Sequence, residues 1–176
     1  LMAASPDAML IGLSATPGRA DGKGLGDIYQ RIIKAATYTE LIARQRLVPA
    51  RVFSFDPPDM RGVRKAEWEG EAAVRIDKPK LVGDVVENHQ LHAQGSPTVV
   101  FAANIAHSIH LRDEFVRHGI TAAHIDQSTP ADERDQILSD LDDGVISVVC
   151  NCDVLSLGWD QPKVQCVVLA SPTRSL

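Results

Sequence analysis

The second half of the chain alternates between two hydrophobic patterns. Short, continuous apolar runs are separated by longer segments in which apolar residues recur every three or four positions. The short runs are typical of strands buried on both faces, and the longer segments are typical of amphipathic helices. The pattern predicts helices over 105–118 and 130–143, the second with Thr129 as N-cap and Pro130 at its first position. It predicts strands over 98–102, 121–125, 146–150 and 164–170.

Strands and helices that alternate at short spacing indicate a parallel sheet, because each parallel strand must be reached through a crossover that is usually a helix. We therefore predict an α/β fold in which helices cover a parallel sheet. The first half of the chain is less regular. There the pattern predicts short strands over 9–14 and 52–55, and helices over 28–36, 39–46 and 81–93.

The composition fits an ordinary globular protein. The 176 residues are 44% hydrophobic and 23% charged, which allows one domain with a core. No apolar run is long enough to span a bilayer and no signal peptide is evident, so we expect no membrane partner. The three cysteines lie in or beside apolar segments without the spacing of a disulfide framework, which favours reduced thiols and a cytoplasmic location.

The net charge of −5 is unevenly distributed. Residues 1–95 carry 13 Lys and Arg against 12 Asp and Glu, whereas residues 96–176 carry 5 against 11. Because acidic surfaces repel nucleic-acid phosphates, any contact made by the second half has to be local, through backbone amides and a few side chains. Bulk electrostatic binding is not expected from this balance.

Candidate chemistry collects at one edge of the predicted sheet. Ligands of open parallel sheets bind outside the carboxyl ends of the strands, where the loops at 103–104, 126–129 and 151–161 are expected. The helix beginning at Pro130 offers free amides to a phosphate. The third loop supplies a hydroxyl, a position of close backbone approach and a carboxylate, from Ser156, Gly158 and Asp160. The alternative is that these residues only cap helices and form turns.

Five segments of the chain resemble the sequence motifs of superfamily 2 helicases. Residues 10–17 resemble motif III, whose core is Ser-Ala-Thr, and residues 99–104 resemble motif IV. Residues 126–134 resemble the segment that follows motif IV, residues 149–162 resemble motif V with its Gly-x-Asp-x-Pro ending, and residues 167–176 resemble the strand leading into motif VI. The segments occur in the expected order. The chain is thus similar to DEAD/DEAH-like DNA helicases and translocases of the excision-repair and restriction-motor type, including phage-encoded forms.

The resemblance implies a domain organisation. Residues 1–17 would be the terminal strand and motif III of a first RecA-like domain that is otherwise missing. Residues 18–95 would be the interdomain linker and the entry into a second domain. Residues 96–176 would form that second RecA-like domain, of the P-loop NTPase type with helices on both faces of its sheet, and would end before motif VI.

The resemblance also implies roles for individual residues. Ser14, Ala15 and Thr16 would belong to the motif that couples ATP hydrolysis to strand contact. Gly158 and Asp160 would lie at the ATP cleft, with Asp160 near the ribose. The residues implied in nucleic-acid binding are Phe101, Asn104, Thr129, Arg134, Asn151 and Cys152. Cys152 stands where many relatives have a threonine that holds a phosphate, and Asn151 could substitute for it.

The sequence lacks the parts that a motor of this type uses to hydrolyse ATP, namely a phosphate cradle with its lysine and acids that hold Mg²⁺. Residues 18–24 only approximate the cradle, because the spacing is one residue short and Gly24 replaces Ser or Thr. No Asp-Glu box and no arginine-finger segment occur. We therefore expect a full-length parent that is a DNA helicase using ATP and Mg²⁺, with an N-terminal RecA-like domain as partner. The fragment alone is expected to hydrolyse no ATP and to hold no cofactor tightly.

Other interpretations remain open from the residues alone. One is a non-motor module of the same fold that senses nucleotides or binds proteins, and another is a small Rossmann-type enzyme, which the absence of Gly-x-Gly-x-x-Gly disfavours. No metal site is expected, although three residue pairs have metal-like spacing: His89 and His92, His107 and His110, and Cys150 and Cys152. For Trp159 there are two interpretations, stacking on a base and packing of its own loop.

Overall fold

The computed structural model describes residues 9–14, 24–54, 77–155 and 159–171. The chain divides into two units, residues 1–54 and residues 55–176. In the described part of the chain, no helix is both long enough and apolar enough to cross a membrane.

In the described residues of the first unit, a short helix forms, α1 (Tyr38–Ala43). Its N-terminus is closed by a capping box between Thr37 and Glu40. The backbone N–H of Glu40 donates to Oγ1 of Thr37 at 3.2 Å, and the backbone N–H of Thr37 donates to the Glu40 carboxylate at 2.7 Å. Two amides that a helix start leaves without partners are satisfied in this way. The predicted helix over 39–46 is confirmed, although it begins and ends earlier.

Three elements predicted for the first half are wrong for the described residues. Residues 9–14 and 52–54 form no strand, and residues 28–36 form no helix. A strand needs a neighbouring strand for its backbone N–H and C=O groups, and no described segment forms a sheet with these residues. The apolar pattern alone is therefore not sufficient to form a strand here.

The second unit is built on a four-stranded parallel sheet in the order β2-β3-β1-β4. Its strands are β1 (Thr98–Phe101), β2 (Ala122–Ile125), β3 (Val148–Asn151) and β4 (Cys166–Leu169). Thr98 pairs with Val148 on one side and with Cys166 on the other, so β1 lies inside the sheet. All three strand pairings are parallel, which confirms the predicted α/β fold.

Helices cover both faces of this sheet. They are α2 (Pro79–Ala93), α3 (Ile105–Arg117) and α4 (Ala131–Asp142). The chain passes through α3 from β1 to β2 and returns through α4 from β2 to β3. Because parallel crossovers are right-handed, these opposite directions place α3 and α4 on opposite faces.

Each face has its own apolar core. On the face of α2 and α3, the buried side chains include Val82, Val86, Val100, Leu111, Phe115 and Val148. On the face of α4, they are Val99, Ile125, Leu141, Val149 and Leu155. Burial of such side chains stabilises the fold by about 1.5–3 kcal/mol each, so packing on both faces holds the strands and helices together.

The predicted N-cap of α4 is wrong by one residue. Pro130, with φ −53° and ψ 149°, is the N-cap residue, and it supplies no side-chain hydrogen bond. The hydroxyl of Thr129 instead accepts a hydrogen bond from the backbone N–H of Asp126 at 2.9 Å. Thr129 therefore shapes the loop before the helix and leaves the first amides of α4 uncapped.

Candidate nucleic-acid interface

The four parallel strands end at one edge of the sheet, which we call the carboxyl edge. Because the strand order is β2-β3-β1-β4, the loops after β2, β3 and β1 are neighbours in that order. These loops contain Thr129, Cys152 and Asn104, respectively. The structure thus brings together three segments that the sequence predicted to converge.

The loop after β1 is held by side chains that cap α3. Oδ1 of Asn104 accepts a hydrogen bond from the backbone N–H of His107 at 2.7 Å, and Asn104 is the N-cap residue. The buried His107 accepts from the backbone N–H of Ala103 at 3.3 Å through Nδ1. Burial lowers the pKa of His107, in keeping with a neutral ring that accepts. Phe101 is half-buried and packs against the core on the α4 face.

The loop after β2 is organised around the carboxylate of Asp126. Oδ1 of Asp126 accepts from the backbone N–H of Ser128 at 2.7 Å and from its hydroxyl at 2.6 Å. Hydrogen bonds from Ser128, together with one from His124, lower the pKa of Asp126 to about 2. Asp126 is therefore ionised at neutral pH and acts purely as an acceptor.

The imidazole of His124 lies between this loop and α3. Its Nε2 is 3.1 Å from Oδ2 of Asp126, and its Nδ1 is 2.7 Å from Oγ of the buried Ser108. No motif in the sequence marks His124 as functional. The available signal was weak: a polar residue inside a short strand, two positions before an acid and therefore on the same side of the strand.

Arg134 lies at the fourth residue of α4, close to the carboxyl edge, and is half-buried. Its guanidinium makes no hydrogen bond or ion pair with any described residue. Arg117, at the C-terminal end of α3, is by contrast paired with Glu114. An arginine without an acid partner retains its five donors for a ligand. Of the two, Arg134 is thus the guanidinium left available.

The loop after β3 is braced from inside. Asn151 is fully buried: its Nδ2 donates to the Val100 carbonyl at 2.9 Å, and its Oδ1 accepts from the backbone N–H of Leu155 at 3.4 Å. The backbone N–H of Cys152 donates to the Ile125 carbonyl at 3.2 Å. Asp153 has a φ of 58°, in the left-handed region. The loop thus turns sharply while its first residues remain bonded to β1 and β2.

The cysteines in this region are not arranged as a metal site. Cys150 is buried, which raises the pKa of its thiol to about 12, and burial also raises the pKa of the Cys152 thiol. Metal ligation requires the thiolate, which a raised pKa disfavours. Among the described residues, no group of three or more His, Cys, Asp or Glu side chains could hold a metal ion.

The histidine pairs have structural partners. His89 is buried, its Nε2 is 2.9 Å from Oγ1 of Thr98, and its ring meets Phe115 edge-on. His110 is exposed and lies 2.8 Å from the carboxylate of Asp77. The bonds thus attach His89 to β1 and His110 to Asp77, while Nδ1 of His89 is buried without a hydrogen-bond partner among the described residues.

The residues implied in the ATP cleft and in coupling are described only in part. Asp160 is exposed and has no hydrogen-bond or ion-pair partner among the described residues. Trp159 is half-buried and packs against the core on the α4 face, which favours the packing interpretation. Ser14 is exposed. Gly158, Ala15 and Thr16 lie outside the described residues.

Comparison with known proteins gives a family. The helicase conserved C-terminal domain family matches residues 77–176. The chain is 33% identical, over 97% of its length, to a 51.5 kDa protein of a Lactococcus phage (isolate 7-9), of which it covers 38%. It is 27% identical, over 94% of its length, to a Saccharomyces cerevisiae protein named as the ATP-dependent helicase IRC3, of which it covers 25%. The chain thus spans less than half the length of these relatives.

Among solved structures, the C-terminal domain of the DEAD-box protein Dbp5 is 26% identical to the chain. The match covers 55% of this chain and 54% of that chain, with a TM-score of 0.47. The family match begins just before α2 and includes the whole parallel sheet. The chain belongs to the helicase conserved C-terminal domain family, and residues 77–176 are the C-terminal RecA-like domain of a superfamily 2 helicase.

Proposed function

We propose that the chain is part of an ATP-dependent DNA helicase or translocase and that the carboxyl edge of its sheet contacts the nucleic-acid backbone. The observation that carries the proposal is Arg134, a half-buried residue beside this edge whose guanidinium has no partner among the described residues. Arginine suits a phosphate because its planar donors match the phosphate oxygens. In a half of the chain with 5 basic and 11 acidic residues, such a cation is a local contact.

The hydrogen bonds of the other residues at the carboxyl edge separate those that hold the loops from those that can contact a ligand. Asn104 and Asn151 use side-chain atoms to hold the loops after β1 and β3, so we assign them to positioning these loops. Thr129 and Cys152 are half-buried in the loops themselves and are the candidates for contact beside Arg134. Phe101 packs in the core and supports the end of β1.

The proposal is tested by removing one arginine at a time. Arg134→Ala should weaken binding of a fluorescein-labelled single-stranded DNA about tenfold, because charge-assisted hydrogen bonds contribute roughly 1.5–3 kcal/mol. It should also reduce the dependence of log affinity on log salt by about one. Fluorescence anisotropy measures both quantities, and an RNA of the same sequence tests the preference for DNA.

The matched control is Arg117→Ala, which removes the same charge from the C-terminal end of α3, away from the carboxyl edge, where Arg117 is paired with Glu114. Because exposed ion pairs contribute about 0–1 kcal/mol, this variant should fold and should bind DNA within about twofold of the unsubstituted protein. Equal losses in the two variants would point to net charge in place of a specific contact. Stronger binding of RNA would contradict the DNA preference.

We further propose that Gly158 and Asp160 face the ATP cleft that this domain shares with an N-terminal RecA-like domain in a longer protein. Asp160 is exposed and has no partner among the described residues, so its carboxylate is available to accept from a ribose hydroxyl. In the longer protein, Asp160→Ala should lower DNA-stimulated ATPase activity about tenfold to a hundredfold. If Asp160→Asn keeps near-normal activity, the residue only shapes the turn before Pro162. Thermal unfolding of both variants controls for misfolding.

The 176-residue chain alone is proposed to hydrolyse no ATP, with or without DNA, since its sequence contains neither a phosphate cradle nor a Mg²⁺-binding acid pair. Release of phosphate above background that Lys23→Ala abolishes would overturn this proposal. In the longer protein, ATP and Mg²⁺ would be the cofactors, Ser14, Ala15 and Thr16 would couple the two domains, and the location would be cytoplasmic. We place the start of the RecA-like domain near residue 77, because Val82 and Val86 of α2 belong to its core.

A further inference from the structure

Three side chains form a hydrogen-bonded line from the interior to the carboxyl edge. Oγ of Ser108 is 2.7 Å from Nδ1 of His124, and Nε2 of His124 is 3.1 Å from Oδ2 of Asp126. The order hydroxyl, imidazole, carboxylate is that of a nucleophile, its base and an orienting acid. Ser108 is fully buried on α3, so no substrate can reach its oxygen. The line therefore has a role other than catalysis.

For a neutral imidazole, one tautomer satisfies all three groups. Asp126 is ionised and can only accept, so the proton of a neutral imidazole lies on Nε2 and is donated to Asp126. Nδ1 is then an acceptor, and the Ser108 hydroxyl donates to it. With the proton on Nδ1, the Asp126 carboxylate would instead face a ring nitrogen that has only a lone pair. Asp126 thus selects the tautomer, and the Ser108 hydroxyl, which can donate or accept, completes the bonding of the ring.

The line continues into the loop after β2. While Oδ2 of Asp126 accepts from His124, Oδ1 accepts from the backbone N–H and the hydroxyl of Ser128. The backbone N–H of Asp126 donates to Oγ1 of Thr129 at 2.9 Å, and the backbone N–H of Thr129 donates back to the Asp126 carbonyl at 3.2 Å. Continuous hydrogen bonds thus connect Ser108 on α3, through His124 and Asp126, to Thr129 in the loop.

We propose that His124 is a positioning residue for nucleic-acid contact: through its bond to Asp126 it fixes the loop at 126–129 against α3, and so sets where Thr129 and the start of α4 meet the nucleic-acid backbone. The inference rests on the proposed function of the carboxyl edge. It adds that the geometry of the contact is set from the interior, by a residue that touches no ligand. His124 is mostly buried, with 13% of its side chain exposed, which suits this role.

Two substitutions separate the bonds of His124. A glutamine places its amide nitrogen near the position of Nε2, so His124→Gln can still donate to Asp126 while losing the bond to Ser108. An asparagine places its oxygen near the position of Nδ1, so His124→Asn can still accept from Ser108 while losing the bond to Asp126. Both variants remove the ring from the same half-buried position, and both lose one buried hydrogen bond.

The expected results differ between the variants. His124→Asn should weaken binding of the labelled single-stranded DNA about tenfold, whereas His124→Gln should bind within about threefold of the unsubstituted protein. The two should lose similar amounts of stability in urea. In His124→Asn, amide hydrogen exchange at Ser128 should accelerate, while in His124→Gln it should remain slow. ¹⁵N NMR of the imidazole in the unsubstituted chain should show a protonated Nε2 and an unprotonated Nδ1.

The outcomes distinguish this inference from the proposed function. Failure of the unsubstituted protein to bind DNA or RNA contradicts the proposed function, and the role of the loop with it. Normal DNA binding combined with equal losses in the two variants overturns the positioning role and leaves the proposed function standing. A protonated Nδ1, or slow exchange at Ser128 in His124→Asn, overturns it as well.

Discussion

The two units of the chain contain similar apolar residues but differ in how much of those side chains is exposed to solvent. In the second unit, Leu111 is completely buried between α3 and the sheet, and the central strands are buried along both faces. In the first unit, Leu13 is 96% exposed, and no residue of α1 is buried. Other apolar side chains of the first unit are also exposed, among them Ile11, Ile32, Ile33, Val48 and Val52.

The difference shows that a hydrophobic pattern produces structure only when its partner is present. Each strand of the second unit pairs with at least one parallel neighbour and contributes to a core that helices cover. The apolar segments of the first unit have no such neighbour among the described residues. Where no neighbouring segment pairs with them, the apolar side chains of the first unit remain exposed.

The largest expected effect comes from the same substitution in the two units. Leu111→Ala should lower the free energy of unfolding by about 2–5 kcal/mol, because it leaves a cavity in a packed core. Leu13→Ala should change it by less than about 0.5 kcal/mol, because its side chain is already in solvent. Urea denaturation followed by circular dichroism measures both. A large loss for Leu13→Ala would break the comparison, since it would mean that this side chain is buried in solution.

A second, smaller effect tests whether buried hydrogen bonds stabilise the polar loops of the second unit as apolar packing stabilises its core. Asn151→Ala should lower the free energy of unfolding by about 2–3 kcal/mol, because it leaves the Val100 carbonyl and the Leu155 amide without their hydrogen bonds. The control is Asn88→Ala, which removes one half-buried bond to a carbonyl within α2 and should cost about 1 kcal/mol or less. Similar losses for both would show that the loop after β3 is not braced by Asn151.

The smallest effect is a dependence on pH that only one unit should show. Hydrogen bonds lower the pKa of Asp126 from 3.8 to about 2, so its contribution to stability is complete above pH 4 and is lost as the pH falls towards 2. Bonds from Thr37 also lower the pKa of Glu40, but Glu40 is fully exposed and solvent screens its interactions. Urea denaturation between pH 5 and pH 2 should therefore show an acid-dependent loss that Asp126→Asn removes and Glu40→Gln retains. The reverse result would assign the loss to α1.

The elements of the second unit could be predicted because local and tertiary preferences agree there. The apolar run at 98–102 becomes β1, and the periodic segment at 105–118 becomes α3, each within one or two residues of the predicted ends. In the first half, the run at 9–14 gives the same local signal as a strand. Pairing partners decide whether such a run becomes a strand, and they are not encoded in the run itself.

Convergence of the loops at the carboxyl edge could also be predicted, because it follows from parallel strands alone. The side-chain hydrogen bonds at this edge could not be predicted from the sequence. Thr129 was expected to cap α4 but bonds with the backbone of Asp126, a choice between two nearby amides that the sequence leaves open. The contact of His124 with Ser108 joins β2 to α3, and it depends on how the helix packs across the sheet.

The position of β1 inside the sheet has a consequence for synthesis of the chain. Thr98 is synthesised well before either of its partners, Val148 and Cys166, so β1 remains unpaired during synthesis until these later strands emerge. Pairings between residues so far apart in sequence form slowly, because a long loop has to close before any bond is gained. A nascent chain that ends shortly after β3 still exposes one edge of β1. Pairing with β4 covers this edge of β1, and the open edge then passes to β4, a strand of only four residues, which offers other chains little backbone to pair with.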